Sequence, residues 1–182
     1  MENNNMPEPE ETSSDKNKFS EKEALLLKMF EDNKEAMNAY DILKHTNRSV
    51  FLTGKAGTGK STFIKLVETI FSRNHTLIVA PTGIAANNVD GMTIHSTFYL
   101  PFGFLLPTDH AIHNKYFPHD DKWWICMAYG FIIIDEISMA SSAMLDCVDK
   151  ILQEICGNKK PFGGKRMLFV GDPFQLPPIV NK

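Results

Sequence analysis

SVFLTGKAGTGKSTF, residues 49–63, decides how the rest of this chain is read. Its first five residues, Ser49–Thr53, are β-branched, aromatic or aliphatic apart from the opening serine, as in a buried strand. GKAGTGKS, Gly54–Ser61, follows at once and fits G-x-x-x-x-G-K-[ST] at every fixed position. Average composition gives a chance match in a chain of this length a probability of roughly one in a hundred. Gly54, Gly57 and Gly59 free the backbone for close approach to a ligand. The N–H groups from Gly54 through Lys55, Ala56, Gly57, Thr58 and Gly59 then form an anion nest at a helix N-terminus. In such a cradle Lys60 reaches the β- and γ-phosphates of a nucleotide and the Ser61 hydroxyl holds Mg²⁺.

Three further runs read as strands: Thr76–Ala80, Phe131–Asp135 and Arg166–Val170. Helical patterns separate them at Lys60–Ser72 and Ser142–Ile155, and another precedes the first strand near Lys34–His45. Strands alternating with helices predict an α/β fold with a mostly parallel sheet and helices on both faces. Only four strong strand runs occur, so the phosphate-loop strand is expected at an open edge of the sheet.

FIIIDE, residues 131–136, supplies the second requirement of nucleotide chemistry. Asp135 emerges at the C-terminal end of a buried strand, where ligands bind in open α/β sheets. Beside a phosphate loop, Asp135 is read as a Mg²⁺ ligand through water, and Glu136 as the group that orients or deprotonates the attacking water. A kinase acting on a small hydroxyl substrate has no use for Glu136 in that role, so the pair favours hydrolysis.

The 182 residues carry 19 bases and 22 acids, a net charge of −3, which excludes a generally basic nucleic-acid coat protein but not a local groove. Residues 1–23 hold seven acids and three bases and few apolar side chains, so residues 1–19 read as a disordered acidic arm and 20–182 as one domain. Ser20 and Glu23 form a capping-box pattern ahead of a helix over Ala24–Phe30. Cys126, Cys147 and Cys156 form no CxxC pair, which fits a reducing compartment: cytoplasmic, and nucleoid-associated in a bacterium. No apolar run is long enough for a membrane span. His110, His113 and His119 fall in a polar stretch, Leu100–Lys122, read as a loop rather than a zinc site because a fourth ligand is not evident.

Three more segments complete an ordered set: APTGIAANNVDGMTIHSTF (Ala80–Phe98), ISM (Ile137–Met139) and GDPFQLPP (Gly171–Pro178). With GKAGTGKS and PFGG, they resemble the motifs of superfamily 1 DNA helicases, and most of all the branch containing RecD and the petite-integration-frequency helicases, from about Ser49 to Val180. That resemblance implies a RecA-like first motor domain of an ATP-dependent 5′→3′ helicase, with ATP and Mg²⁺ as cofactors and single-stranded DNA as partner. It makes Gln175 the γ-phosphate sensor, with Asp172 beside it. Pro81, Thr82, Gly83, Ala85 and Ala86 match one strand-contacting segment, and Thr93, His95 and Ser96 match a second, with Phe98 packing there or stacking on a base.

The pattern departs from the family in two places. The glutamine that reads adenine one helix upstream of the phosphate loop is missing, with Met37 or Asn38 near its place. The second RecA-like domain, which in the family brings an arginine finger and half the DNA groove, is expected from the same parent chain beyond Lys182. The 182 residues alone are thus expected to hydrolyse ATP near background, and no stable protein partner is predicted. A nucleotide-binding regulatory module with no unwinding activity is the alternative.

Overall fold

The computed structural model describes residues 13–71, 75–101, 103 and 126–174, with side chains from residue 21 onward. Gln175 and residues 104–125, which include the three loop histidines, lie outside the described residues. Among the described residues no helix is long and apolar enough to cross a membrane.

The chain runs α1 (Ser13–Lys28), α2 (Lys34–His45), β1 (Val50–Thr53), α3 (Lys60–Phe71), β2 (Thr76–Ala80), α4 (Gly83–Asn88), β3 (Met92–Thr93), α5 (Ile94–Thr97), β4 (Phe131–Ile134), α6 (Ser142–Ile155) and β5 (Arg166–Gly171). Short 3₁₀ turns at Ile137–Met139 and Pro161–Gly164 complete it. The strands form one sheet in the order β1-β5-β4-β2-β3, parallel at every pairing. The expected parallel α/β sheet is therefore observed, with β1 at the edge.

Side chains alternate across the sheet and divide the core into two layers. Leu77, Val79, Ile132, Ile134 and Met167 meet Val148, Ile151 and Leu152 of α6 on one face. Ile78, Phe131, Ile133, Leu168 and Val170 meet Leu43 of α2 and Phe63, Ile64 and Val67 of α3 on the other. Every residue of β2 and β4 is buried, as a strand covered on both faces requires. On β1, among the described residues, Val50 and Leu52 pack toward α2 and α3, while Phe51 is 57% exposed, with the Phe169 ring 6.5 Å away.

The first helix begins at Ser13, ahead of the expected start at Ser20, and Ser13–Lys28 contains no glycine or proline. Glu23 does not serve a capping box there. Its carboxylate accepts from the Tyr40 hydroxyl and pairs with Lys44 Nζ at 2.6 Å, tying α1 to α2. Arg166 secures the C-terminal end of α2, its Nη2 donating to the carbonyls of Ile42 (3.2 Å) and Leu43 (2.6 Å) and its Nε to that of Arg48 (3.0 Å).

Candidate functional site

The phosphate loop forms as the glycine spacing requires. Gly57 (φ 77°) and Gly59 (φ 89°) occupy left-handed backbone, where a side chain would be strained. A Cβ on Gly54 would lie 2.7 Å from Thr58 Oγ1, so the entry to the loop has no room for one. Thr58 closes the turn through its N–H (3.3 Å) and hydroxyl (2.8 Å), both donating to the Lys55 carbonyl. α3 then starts at Lys60, and the N–H groups of its first turn have no intrahelical acceptor, leaving partial positive charge at the loop. Lys60 Nζ donates to the carbonyls of Gly54 (2.7 Å) and Lys55 (3.0 Å), so the ammonium lies folded across the cradle. Ser61 is exposed at the same helix start.

A cavity of about 240 Å³ opens from this loop toward the α1–α2 turn. Phe30, Asn33, Glu35, Ala36, Gly59, Lys60 and Phe63 contribute to its wall. Phe30 stacks edge-on against Phe63 at 5.7 Å and limits how close Gly59 can come. Met37 and Asn38, near the expected place of the adenine-reading glutamine, do not line it: Met37 packs on the core and Asn38 faces solvent. Asn33 and Glu35 are the polar groups there that sequence reading missed, because one is a helix N-cap and the other a first-turn acid, both ordinary at a helix start.

Asp135 stands at the C-terminal end of β4, 4% exposed. Its N–H donates to the Val79 carbonyl at 2.9 Å, which fixes it to the central pair of strands. Burial pushes its carboxyl above the usual range, and the neighbouring Glu136 charge adds to this; the Glu136 N–H (2.9 Å to Oδ1) and the Lys60 charge pull it back. Glu136 is half-buried at φ 51°, a left-handed conformation that bulky residues rarely adopt. It leads directly into the 3₁₀ turn over Ile137–Met139. Hydroxyl and carboxylate oxygens at Ser61 and Asp135 are the donor type a hard divalent cation takes. Gly171, at the end of β5, joins the parts, its carbonyl accepting from the Gly54 N–H (3.3 Å) while its Cα faces Ile137. Asp172 is buried and accepts from the Phe174 N–H at 3.0 Å, shaping the turn that leads to Gln175.

The two segments expected to contact a strand begin at the ends of β2 and β3. Thr82 caps α4 by accepting from the Ala85 N–H (3.2 Å), and Thr93 caps α5 by accepting from the Ser96 N–H (3.1 Å). Pro81 and Thr82 are half-buried, Gly83 and Ser96 exposed, and Thr93 half-buried. Ala85 and Ala86 are buried against Ala80, so they pack α4 onto β2 rather than offering side chains to a ligand. Half-burial pushes the His95 imidazole below its ordinary pKa, which keeps it neutral at neutral pH. Phe98 has no exposed surface and belongs to the core with Val79 and Ile94, so its ring is closed to a stacking base. The neighbouring Tyr99 is exposed, and a four-residue helix has too little periodicity to have foretold which of the two points outward.

Comparison with known proteins agrees with this arrangement. A family model described as PIF1-like helicase matches residues 28–182. The ATP-dependent DNA helicase PIF1 of Saccharomyces cerevisiae is 37% identical over 144 residues, covering 75% of this chain and 16% of the yeast protein. That of Rattus norvegicus is 32% identical over 169 residues, covering 92% of this chain and 24% of the rat protein. Among solved structures, the Pif1 helicase from Bacteroides in complex with ADP-AlF3 and ssDNA superposes with a TM-score of 0.74 at 37% identity, covering 82% of this chain and 34% of that one. The chain thus spans between about a sixth and a third of the length of these relatives. With its phosphate loop, carboxylate pair and sheet order all in place, the chain belongs to the PIF1-like helicase family.

Proposed function

We propose that these residues form the ATP-binding motor domain of a DNA helicase, working with a second RecA-like domain of the same parent chain. The observation that carries this is the meeting of the Lys60 loop with Asp135 and Glu136 at one end of the sheet. ATP phosphates lie in the Gly54–Ser61 cradle, where Lys60 exchanges its two loop carbonyls for phosphate oxygens. Ser61 and Asp135 hold Mg²⁺, which when bound neutralises phosphate charge. Glu136, next to Asp135 at the end of β4, orients the attacking water and takes its proton. The nucleobase occupies the cavity beside Asn33 and Phe30.

Single-stranded DNA crosses half-buried Thr82 and Thr93 and exposed Gly83 and Ser96, contacts that read phosphate rather than sequence. Gln175, three residues after Asp172 in the sequence, senses the γ-phosphate. Positive charge on the far side of that phosphate comes from the second domain. An arginine finger is worth about 10³–10⁵ in rate. Steady-state phosphate release by the 182-residue chain is therefore expected near background, with or without oligonucleotide, and a chain extended through the second domain recovers DNA-stimulated turnover. Glu136→Gln in the extended chain removes turnover while nucleotide still binds. Robust DNA-stimulated turnover by the 182 residues alone would refute the two-domain reading.

A further inference from the structure

α5 leaves through a cap that normally demands glycine. The Phe98 N–H donates to the Ile94 carbonyl (2.9 Å), the Leu100 N–H to the His95 carbonyl (3.1 Å), and Tyr99 between them sits at φ 47°. That bond pattern makes Tyr99 the left-handed C′ residue, where a side chain is disfavoured and glycine is usual. Phe98 and Leu100, on either side, are buried at 0% and 5% exposure, whereas Tyr99 is 38% exposed. An aromatic side chain thus stands partly in solvent at the position where it is hardest to place, immediately after Thr93, His95 and Ser96.

We propose that Tyr99 is a stacking platform for one base of a single-stranded nucleic acid whose backbone crosses Thr93 and Ser96. The inference rests on the strand-binding reading of this face given above. Phe98 cannot serve, since its ring is enclosed, and an exposed ring one turn on from the Ser96 hydroxyl supplies what the hydroxyls lack: affinity for bases without preference among them. Backbone contact plus stacking is what a protein moving along a strand of any sequence needs.

Fluorescence anisotropy at low salt tests this with two strands, an oligothymidylate and an abasic strand of equal length, and three proteins: wild type, Tyr99→Asn and Tyr99→Phe. Asparagine accepts left-handed backbone, so Tyr99→Asn keeps the cap, and melting temperature checks the fold. Tyr99→Asn is expected to weaken oligothymidylate binding by about 5- to 100-fold, with Tyr99→Phe near wild type. On the abasic strand wild type and Tyr99→Asn are expected to bind alike. Equal affinity of Tyr99→Asn and wild type for oligothymidylate would overturn the proposal and leave strand binding intact. So would an equal loss on both strands. A Tyr99→Asn that fails to fold moves the decision to wild type, where equal affinity for the two strands overturns the proposal and a preference for oligothymidylate supports it. Wild type binding neither strand would overturn the strand-binding reading and this one together.

Discussion

Gly171→Ala tests whether the site is held together as the structure implies. The glycine ends β5, pairs in register with Thr53 of β1, and accepts from the Gly54 N–H at 3.3 Å. A Cβ there would lie 2.8 Å from Ile137 Cγ2, 3.1 Å from Ile137 N and 3.3 Å from Ser138 N. The Ile137 methyl has little freedom, because the residue is only 9% exposed, and the two nitrogens are backbone of the turn that carries Glu136. Its own φ lies outside the left-handed region, so the effect is one of contact and not of backbone conformation. Either the turn retreats from β5 or β5 retreats from the turn, and the second movement draws on Gly54. Overpacking of this kind costs about 1–3 kcal/mol. At about 2–4 °C per kcal/mol for a domain of this size, the melting temperature is expected to fall by about 2–12 °C. The nucleotide-induced thermal shift is expected to fall with it, because the displaced groups are the cradle and the carboxylates. Gly130→Ala is the control: a Cβ there meets nothing within 4 Å, and the change is expected within about 0.5 kcal/mol. If Gly171→Ala melted with wild type and kept the full nucleotide shift, the coupling of loop and carboxylates through Gly171 would be wrong.

Asp135→Asn is expected to melt above wild type at neutral pH while losing the Mg²⁺-nucleotide shift. Burial raises the Asp135 pKa on folding, so the folded chain binds this proton more tightly, and the cost of burying the charge appears as pH rises past the carboxylate range. The gap between variant and wild type is thus expected to close below about pH 4, and an asparagine variant that melts lower at neutral pH would contradict it. Arg166→Ala leaves the Ile42 and Leu43 carbonyls without their charged donor and removes a cation 4.9 Å above the Phe71 ring, a loss of about 2–4 kcal/mol measurable by urea unfolding. An equal midpoint for variant and wild type would deny Arg166 that role. The open β1 edge with Phe51 exposed is expected to self-associate, and Phe51→Lys to reduce this; static light scattering showing a wild-type monomer at high concentration would count against it.

The sheet was legible because buried parallel strands are continuous apolar runs. TLIVA and FIII need no alternation to be seen, and the helix over Ser142–Ile155 matches its expected span. β3 was not legible, since Met92–Thr93 carries no pattern and owes its place to pairing with Val79 and Ala80. The left-handed turns at Gly57 and Gly59 were legible because backbone freedom is written in glycine spacing. The pocket was not: Phe30 meets Gly59 across 29 positions of sequence, a distance over which local pattern says nothing. The strand-contacting segments fall between these cases. Thr82 and Thr93 announce themselves as helix caps, but burial divides their neighbours, and Ala85, Ala86 and Phe98 go inward while Gly83, Ser96 and Tyr99 stay out.

Positive φ at a non-glycine residue separates strain held by packing from strain held for chemistry. Phe162 (φ 50°) sits in a left-handed turn, and the reasons are visible in its surroundings. Its ring lies 5.5 Å from that of Phe169, its N–H donates to Asp149, and Gly163 beside it lies so close to the Leu152 carbonyl that a Cβ would come within 2.3 Å. There the side chain is used in the core and the strain is offset where it arises. Glu136 and Tyr99 share the same backbone conformation, the first half-buried and the second 38% exposed. Glycine would fit the backbone better at either position. Asp135 adds a third expense, a carboxylate buried to 4% exposure. These local penalties, each removable by a single substitution, mark positions not shaped by stability alone.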